Sequence, residues 1–251
     1  HYVTADEYLS GNVRRKLRQA QRAAEQDPAF TVNVEALTAA QPKDLDASEI
    51  EVRLGATWID KAYIQQFMYE TFDTPYYLQR SIQVHYSPFT AEWQISGKSA
   101  VSENNVAAYT TYGTSRANAY KILEDSLNLR DVRIYDTVED AEGRERRVLN
   151  AKETTLAAQK QQAIRDAFRD WIWRDPERRQ TLVRQYNEEM NSTRPREYDG
   201  SHITFGGMNP SITLRDHQLG AIAHILYGGN TLLAHEVGAG KTFEMVAAAM
   251  E

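Results

Sequence analysis

The spacing of apolar residues predicts helices over most of this chain and two short hairpins. Residues 4–40 follow a helical pattern that breaks at Asp27-Pro28, and Thr4 with Glu7 predicts a capping box at its start. Apolar and polar residues alternate in 81–97 and again around 132–149, which predicts two hairpins, the second closed by the acidic turn 139–143. Further helices are predicted over 61–71, 115–128, 151–174 (capped by Asn150) and 176–191.

The last two of these helices should pack on each other. Their aromatic and aliphatic residues fall along one seam, made of Trp171, Trp173, Leu182, Val183 and Tyr186. A polar loop, 194–201, follows them. Residues 1–198 are therefore predicted to form an α+β accessory module, in which helices flank a small hairpin-based sheet.

The end of the chain has a different order of elements. Apolar spacing from Leu214 to Leu226 predicts a helix with Thr213 as its N-cap. The apolar run 231–234 then predicts a strand, which leads into the glycine-rich loop 235–242, and 243–250 is predicted to be helical. This is the order of elements around the phosphate-binding loop of nucleoside triphosphatases.

The loop sequence, His235-Glu236-Val237-Gly238-Ala239-Gly240-Lys241-Thr242, has the composition that phosphate binding requires. Glycines at 238 and 240 can adopt positive φ, so that the backbone N–H groups of 236–240 can turn inward around an anion. Lys241 is predicted to reach the β- and γ-phosphates of ATP, and the Thr242 hydroxyl to ligate Mg²⁺. The usual pattern has glycine where His235 stands, and a chance occurrence of this sequence in a loop is the alternative.

Gln218 is the candidate for recognising the adenine base. Its amide both donates and accepts hydrogen bonds, as an adenine edge requires, and it lies on the predicted helix before the loop. Taken alone, a glutamine at such a position is more often a surface residue. The nearby phosphate loop favours the adenine role.

These residues resemble a known family. The segment 214–242 is similar to the Q motif and motif I of superfamily-two helicases, in their Swi/Snf-like and type I restriction-translocase branches, where a residue such as His235 is common at the loop's first position. Segments at 8–17, 49–59, 108–129 and 170–187 resemble the region before the helicase core in large phage and conjugative-element proteins that join a DNA methylase to a helicase. The resemblance covers nearly the whole chain.

The resemblance implies an ATP-dependent DNA helicase or translocase with DNA and other domains of a longer protein as partners. Residues 199–251 are then the start of a RecA-like ATP-binding lobe. Only nine residues follow Thr242, so we expect a truncated piece that hydrolyses ATP poorly by itself. Phosphoryl transfer also needs a second Mg²⁺ carboxylate, a water-positioning glutamate and an arginine finger, and none of these can be assigned in this sequence. No methylase motif is found, so a methylase centre would lie elsewhere.

Composition changes this picture little. Apolar residues make up 41% of the 251 residues, there is no cysteine, and no apolar run is long enough to span a bilayer, so we expect a cytoplasmic protein. Histidines and carboxylates show no metal-site spacing, and the aromatic residues between 58 and 120 have the spacing of core residues. A net charge of −6 argues against a nucleic-acid footprint over the whole surface.

A local basic stripe is the exception. It consists of five cations within nine residues, without an acidic residue among them: Arg14, Arg15, Lys16, Arg18 and Arg22. Such a stripe on a helix can bind a phosphate backbone. It can equally be a solvated face or a surface that docks on an acidic domain, so a DNA-binding or domain-coupling module without catalysis is the alternative function. A phosphate-loop ATPase outside the helicases is a third.

Overall fold

The structure, a computed structural model, describes residues 3–139 and 144–251. Backbone contacts divide the chain into one unit formed by 45–187 and another formed by 1–44 together with 188–251. Helices dominate both units, and the strands among the described residues pair as two-stranded antiparallel sheets. The chain is thus a mixed α+β protein, as predicted. The predicted domain boundary at 198/199, between the accessory module and the ATP-binding lobe, stays a prediction.

The elements lie in the following order. The helices are α1 (Ala5–Tyr8), α2 (Val13–Gln26), α3 (Thr31–Ala39), α4 (Lys61–Thr71), α5 (Ala119–Leu127), α6 (Ala151–Arg174), α7 (Pro176–Glu189), α8 (Asp216–Gly228) and α9 (Lys241–Met250). The strands are β1 (Gly11–Asn12), β2 (Val84–Ser87), β3 (Glu92–Ile95), β4 (Tyr135–Glu139), β5 (Glu145–Leu149) and β6 (Thr193–Arg194). Pairing joins β1 to β6, β2 to β3 and β4 to β5.

The core of the 45–187 unit is built around aromatic rings. Phe67 of α4 is fully buried, and its ring contacts those of Phe72, Phe168 and Trp171 edge to face, at centroid distances of 6.0, 5.1 and 5.6 Å. Edge-to-face packing adds about 0.5–1.5 kcal/mol per pair to the free energy gained by burial. Helices α4 and α6 therefore pack on each other through edge-to-face contacts between aromatic rings.

Arg178 fixes the turn between α6 and α7. Its Nε donates to the carbonyl of Ile172 at 3.0 Å, and its guanidinium lies 3.6 Å from the centre of the Trp171 ring. It thus satisfies a carbonyl that the end of α6 would otherwise leave unpaired. The five residues of the predicted α6–α7 seam lie in or against the core of the 45–187 unit, where Trp171 and Leu182 are buried and Trp173, Val183 and Tyr186 pack against the cluster. That they form a seam between the two helices stays a prediction.

Glu124 of α5 and Asn128, the residue that caps its C-terminus, cover one edge of the β2–β3 hairpin. The Asn128 amide accepts from the backbone N–H of Trp93 at 2.9 Å and donates to the carbonyl of the same residue at 2.8 Å. Glu124 accepts from the N–H of Ile95 at 2.6 Å and pairs with Lys98. These groups stand where the backbone of a third strand would bond.

The other unit contains a small helical hairpin. Helices α2 and α3 pack through Val13, Ala20 and Leu37, which are buried. Asp27 caps the turn between them by accepting from the N–H of Ala29 at 2.9 Å, so the predicted break is confirmed. The β1–β6 pairing, Gly11 with Arg194 and Asn12 with Thr193, was not predicted.

Some predicted boundaries are wrong. The Thr4 side chain makes no capping hydrogen bond. The N-cap of α8 is Arg215 rather than Thr213, because Gln218 Oε1 accepts from the Arg215 N–H at 2.9 Å. Helix α5 starts at Ala119 after the Asn118 cap, not at 115, and β4 starts at Tyr135. Most of the acidic turn, 140–143, lies outside the described residues.

The strand predicted at 231–234 is not formed, since no described segment pairs with it. An isolated strand has no partner for its backbone groups, so apolar spacing alone does not stabilise it. Leu232 is accordingly 87% exposed. Among the described residues, no helix is both long and apolar enough to cross a membrane.

Candidate phosphate-binding loop

The glycine-rich loop enters α9 through two left-handed residues. Gly238 and Gly240 have φ of 92° and 90°, which side chains with a Cβ rarely adopt. A Cβ on Gly240 would also lie 2.3 Å from Nε2 of Gln218, whereas one on Gly238 would meet nothing within 4 Å. The predicted conformation of both glycines is confirmed.

Several backbone N–H groups of the loop have no partner among the described residues, whereas two of its carbonyls accept hydrogen bonds. The N–H groups of Gly238, Gly240, Lys241 and Thr242 bond to no other described residue. The carbonyls of Glu236 and Ala239, in contrast, accept hydrogen bonds from within the chain. The first N–H groups of a helix lack partners inside the helix and carry partial positive charge. Free donors of this kind at the start of a helix are suited to binding an anion.

Lys241 lies inside this loop. Its ammonium donates to the carbonyls of His235 at 2.8 Å and Glu236 at 3.0 Å, so it is held by neutral acceptors without a carboxylate. The Thr242 side chain is exposed, and its hydroxyl bonds to no other described residue. The Glu236 and Val237 side chains are exposed, so these two residues would contribute to an anion site through their backbone N–H groups. The N–H of Ala239 already donates to the carbonyl of Glu236 at 3.3 Å.

Gln218 contacts the loop directly. It is 6% exposed, and its Nε2 donates to the carbonyl of Ala239 at 3.2 Å while its Oε1 caps α8. His217 donates to the same carbonyl at 3.0 Å. The adenine role of Gln218 stays a prediction, and it would require the amide to exchange these bonds for bonds to the base.

The crowding at Gly240 gives a prediction. Gly240→Ala should weaken nucleotide binding at least 10-fold, because the new Cβ displaces Gln218 from the loop, and it should add about 1–2 kcal/mol of left-handed backbone strain. Gly207→Ala is the matched control, since φ there is 83° and a Cβ meets nothing within 4 Å. Titration with a fluorescent ATP analogue and thermal unfolding compare the two. Equal nucleotide affinity in both variants would contradict the prediction.

Two contacts at the loop were not predicted from the sequence. His235 Nδ1 donates to Oε1 of Glu244 at 2.9 Å, and the His217 ring lies edge-on to His235 at 5.8 Å between centroids. The departure from glycine at position 235 was the signal available. Its partner nine positions along could not be identified without the fold.

Two of the five cations in the basic stripe, Arg14 and Lys16, have partners inside the chain. Arg14 donates to the carbonyl of Asn191 and pairs with Asp44, and Lys16 donates to three carbonyls near the end of α1. Arg15, Arg18 and Arg22 are exposed and make no ion pair with a described residue. Their spacing of three and four residues places them on one face of α2.

No group of three or more histidine or acidic side chains that could hold a metal ion occurs in residues 3–139 and 144–251. A magnesium ion held by Thr242 would take its remaining ligands from phosphate and water, as Mg²⁺ usually does.

Comparison with known families gives one match. The model of a family described as a domain of unknown function (DUF8437) matches residues 53–192. The chain belongs to this family. No curated protein and no solved structure matches it.

The DUF8437 match covers nearly the same residues as the 45–187 unit. It includes the aromatic core, helices α6 and α7, and the β2–β3 hairpin. Both candidate sites lie outside it: the basic face of α2 precedes residue 53, and the phosphate loop follows residue 192. The family match and the phosphate loop therefore concern different parts of the chain.

Proposed function

We propose that residues 199–251 are the Mg-ATP-binding segment of a DNA helicase or translocase, at the start of a RecA-like lobe. The observation that carries this is the loop itself, in which four backbone N–H groups are free beside Lys241 and Thr242. Two glycines with positive φ give the loop its shape. A phosphate-loop motif with free donors is the expected geometry for binding a triphosphate.

The residues present fit Mg-ATP. The N–H groups of Gly238, Gly240, Lys241 and Thr242 would hold phosphate oxygens. Lys241 would exchange two carbonyls for the β- and γ-phosphates, a stronger charge-assisted contact. The exposed Thr242 hydroxyl would bind the metal, and Gln218 would contact adenine. Bound Mg²⁺ supplies charge that neutralises the phosphates during transfer.

The assignment to helicases, rather than to other phosphate-loop ATPases, rests on the resemblance of 214–242 to the Q motif and motif I. The order of Gln218, loop and helix supports it. DNA is then the proposed partner, and other domains of a longer protein would complete the hydrolytic centre.

ATP hydrolysis by the full-length gene product, with and without duplex DNA, tests the proposal. Turnover that DNA stimulates and that depends on Lys241 is expected for a helicase or translocase. Turnover that depends on Lys241 but is indifferent to DNA would indicate another ATPase. No dependence on Lys241 would leave binding or coupling as the function.

A second candidate function is a nucleic-acid-binding or domain-coupling module. The observation that favours it is the exposed face of Arg15, Arg18 and Arg22, whose charges are not used inside the described chain. Each arginine that contacts a phosphate releases counterions, so affinity should fall steeply as salt rises.

Replacing all three arginines of this face by glutamine should weaken DNA binding by the chain and make it less sensitive to salt. Three lost contacts would reduce the slope of log affinity against log salt by about 3 on duplex DNA. The matched control replaces Lys61, Arg80 and Lys152, exposed cations on separate elements, and removes the same charge. A gel shift at several salt concentrations measures both. Equal losses would indicate that net charge, rather than this face, determines binding.

A further inference from the structure

A buried carboxylate lies behind the phosphate loop. Glu244, in the first turn of α9, is 0% exposed. Its Oε1 accepts from Nδ1 of His235 at 2.9 Å, and its Oε2 is buried without a partner among the described residues. Transferring a carboxylate out of water costs several kcal/mol. A position in the first turn favours an acidic residue, but an exposed glutamate would satisfy that preference equally well.

His235 joins this carboxylate to the lysine of the loop. Its imidazole bonds to Glu244, while its backbone carbonyl accepts from the Lys241 ammonium at 2.8 Å. With Glu244 ionised, the His235 ring donates from Nδ1. One residue is thus bonded on its side chain to the helix after the loop and on its backbone to the phosphate-binding lysine.

His217 of α8 also contacts His235 and the loop. The His217 ring packs edge-on against the His235 ring and donates to the carbonyl of Ala239, a later residue of the same loop. Glycine at position 235 would have no side chain to make these contacts. The loop's first residue is therefore held from α9 and α8.

We propose that Glu244 is a positioning residue for nucleotide binding. Through the His235 imidazole it fixes the start of the loop, and with it the carbonyl that holds Lys241 before the phosphates arrive. This inference rests on the proposed function, because it concerns the same phosphate site. It also accounts for the histidine at position 235, where the usual pattern has glycine: the His235 imidazole bonds to a buried carboxylate on the following helix.

A double-mutant cycle tests the proposal. Glu244→Ala and His235→Gly should each weaken binding of a fluorescent ATP analogue with Mg²⁺ about 10-fold. The double variant should bind no more weakly than either single variant, because both substitutions remove the same His235–Glu244 hydrogen bond. Glu244→Gln keeps an acceptor for Nδ1 and should restore affinity to within about 3-fold of the wild type. Glu251→Gln, an exposed carboxylate after the same helix, controls for charge.

Deuterium exchange of peptides covering 235–242, measured without nucleotide, gives an independent readout. Glu244→Ala and His235→Gly should speed exchange there equally, while a role limited to folding would show as a lower unfolding temperature with unchanged loop exchange. Additive losses in the cycle, or unchanged affinity in Glu244→Ala, would overturn the inference while Lys241→Ala still abolished binding. If Lys241→Ala had no effect, the proposed function would fail, and the inference with it.

Discussion

Lys241→Ala is expected to lower nucleotide affinity at least about 100-fold, and to remove ATP hydrolysis from the full-length gene product. The ammonium now rests on two neutral carbonyls, so it can transfer to phosphate oxygens without breaking an ion pair. Losing one partner of a buried charge-assisted contact costs about 2–5 kcal/mol. Fluorescent-analogue titration and phosphate release measure the two effects.

The control for Lys241 is Lys61→Ala, which removes an exposed lysine at the start of α4. It should leave nucleotide affinity and turnover unchanged. Thermal unfolding of the Lys241 variant should match the wild type in the absence of nucleotide, since the replaced contacts join neighbouring residues at the surface. An affinity loss shared by both lysine variants would contradict a specific phosphate site.

Phe67→Ala is expected to produce a large loss in the free energy of unfolding of the 45–187 unit. Replacing a fully buried phenylalanine by alanine costs about 3–5 kcal/mol, through lost burial and the cavity that remains. Three edge-to-face ring contacts are lost with it. Urea unfolding, followed by tryptophan fluorescence, measures the change because Trp171 adjoins the site.

Phe89→Ala is its matched control. Phe89 lies in the turn of the β2–β3 hairpin and is 100% exposed, so the same substitution should change stability by about 0.5 kcal/mol or less. Similar losses in both variants would show that the Phe67 ring does not lie in the core described. A loss in Phe67→Ala confined to one of two unfolding transitions would assign that transition to the 45–187 unit.

Local patterns were enough to predict several elements. Helices α4 and α6 have the predicted bounds, because Asp60 and Asn150 cap them and apolar residues recur at helical spacing behind each cap. The β2–β3 hairpin was likewise predicted, since alternation is a property of the strand itself. In these segments the information that specifies the structure is local.

The remaining features depend on distant partners. β1 and β6 are two residues long and lie far apart in the chain, so their spacing contains no pattern to detect. The run at 231–234 has the pattern of a strand but no neighbour with which to pair. The loop glycines and Lys241 were predicted from the motif, whereas the Glu244–His235 contact depends on how α9 turns back toward the loop.

The amide of Asn128 has a consequence for self-association. An uncovered strand edge offers a row of donors and acceptors to any other extended chain, and this is how many β-rich proteins polymerise. In β3 these groups are occupied: the N–H and carbonyl of Trp93 are bonded to Asn128, and the N–H of Ile95 is bonded to Glu124 of α5. A second extended chain could pair with this edge only by displacing those side chains.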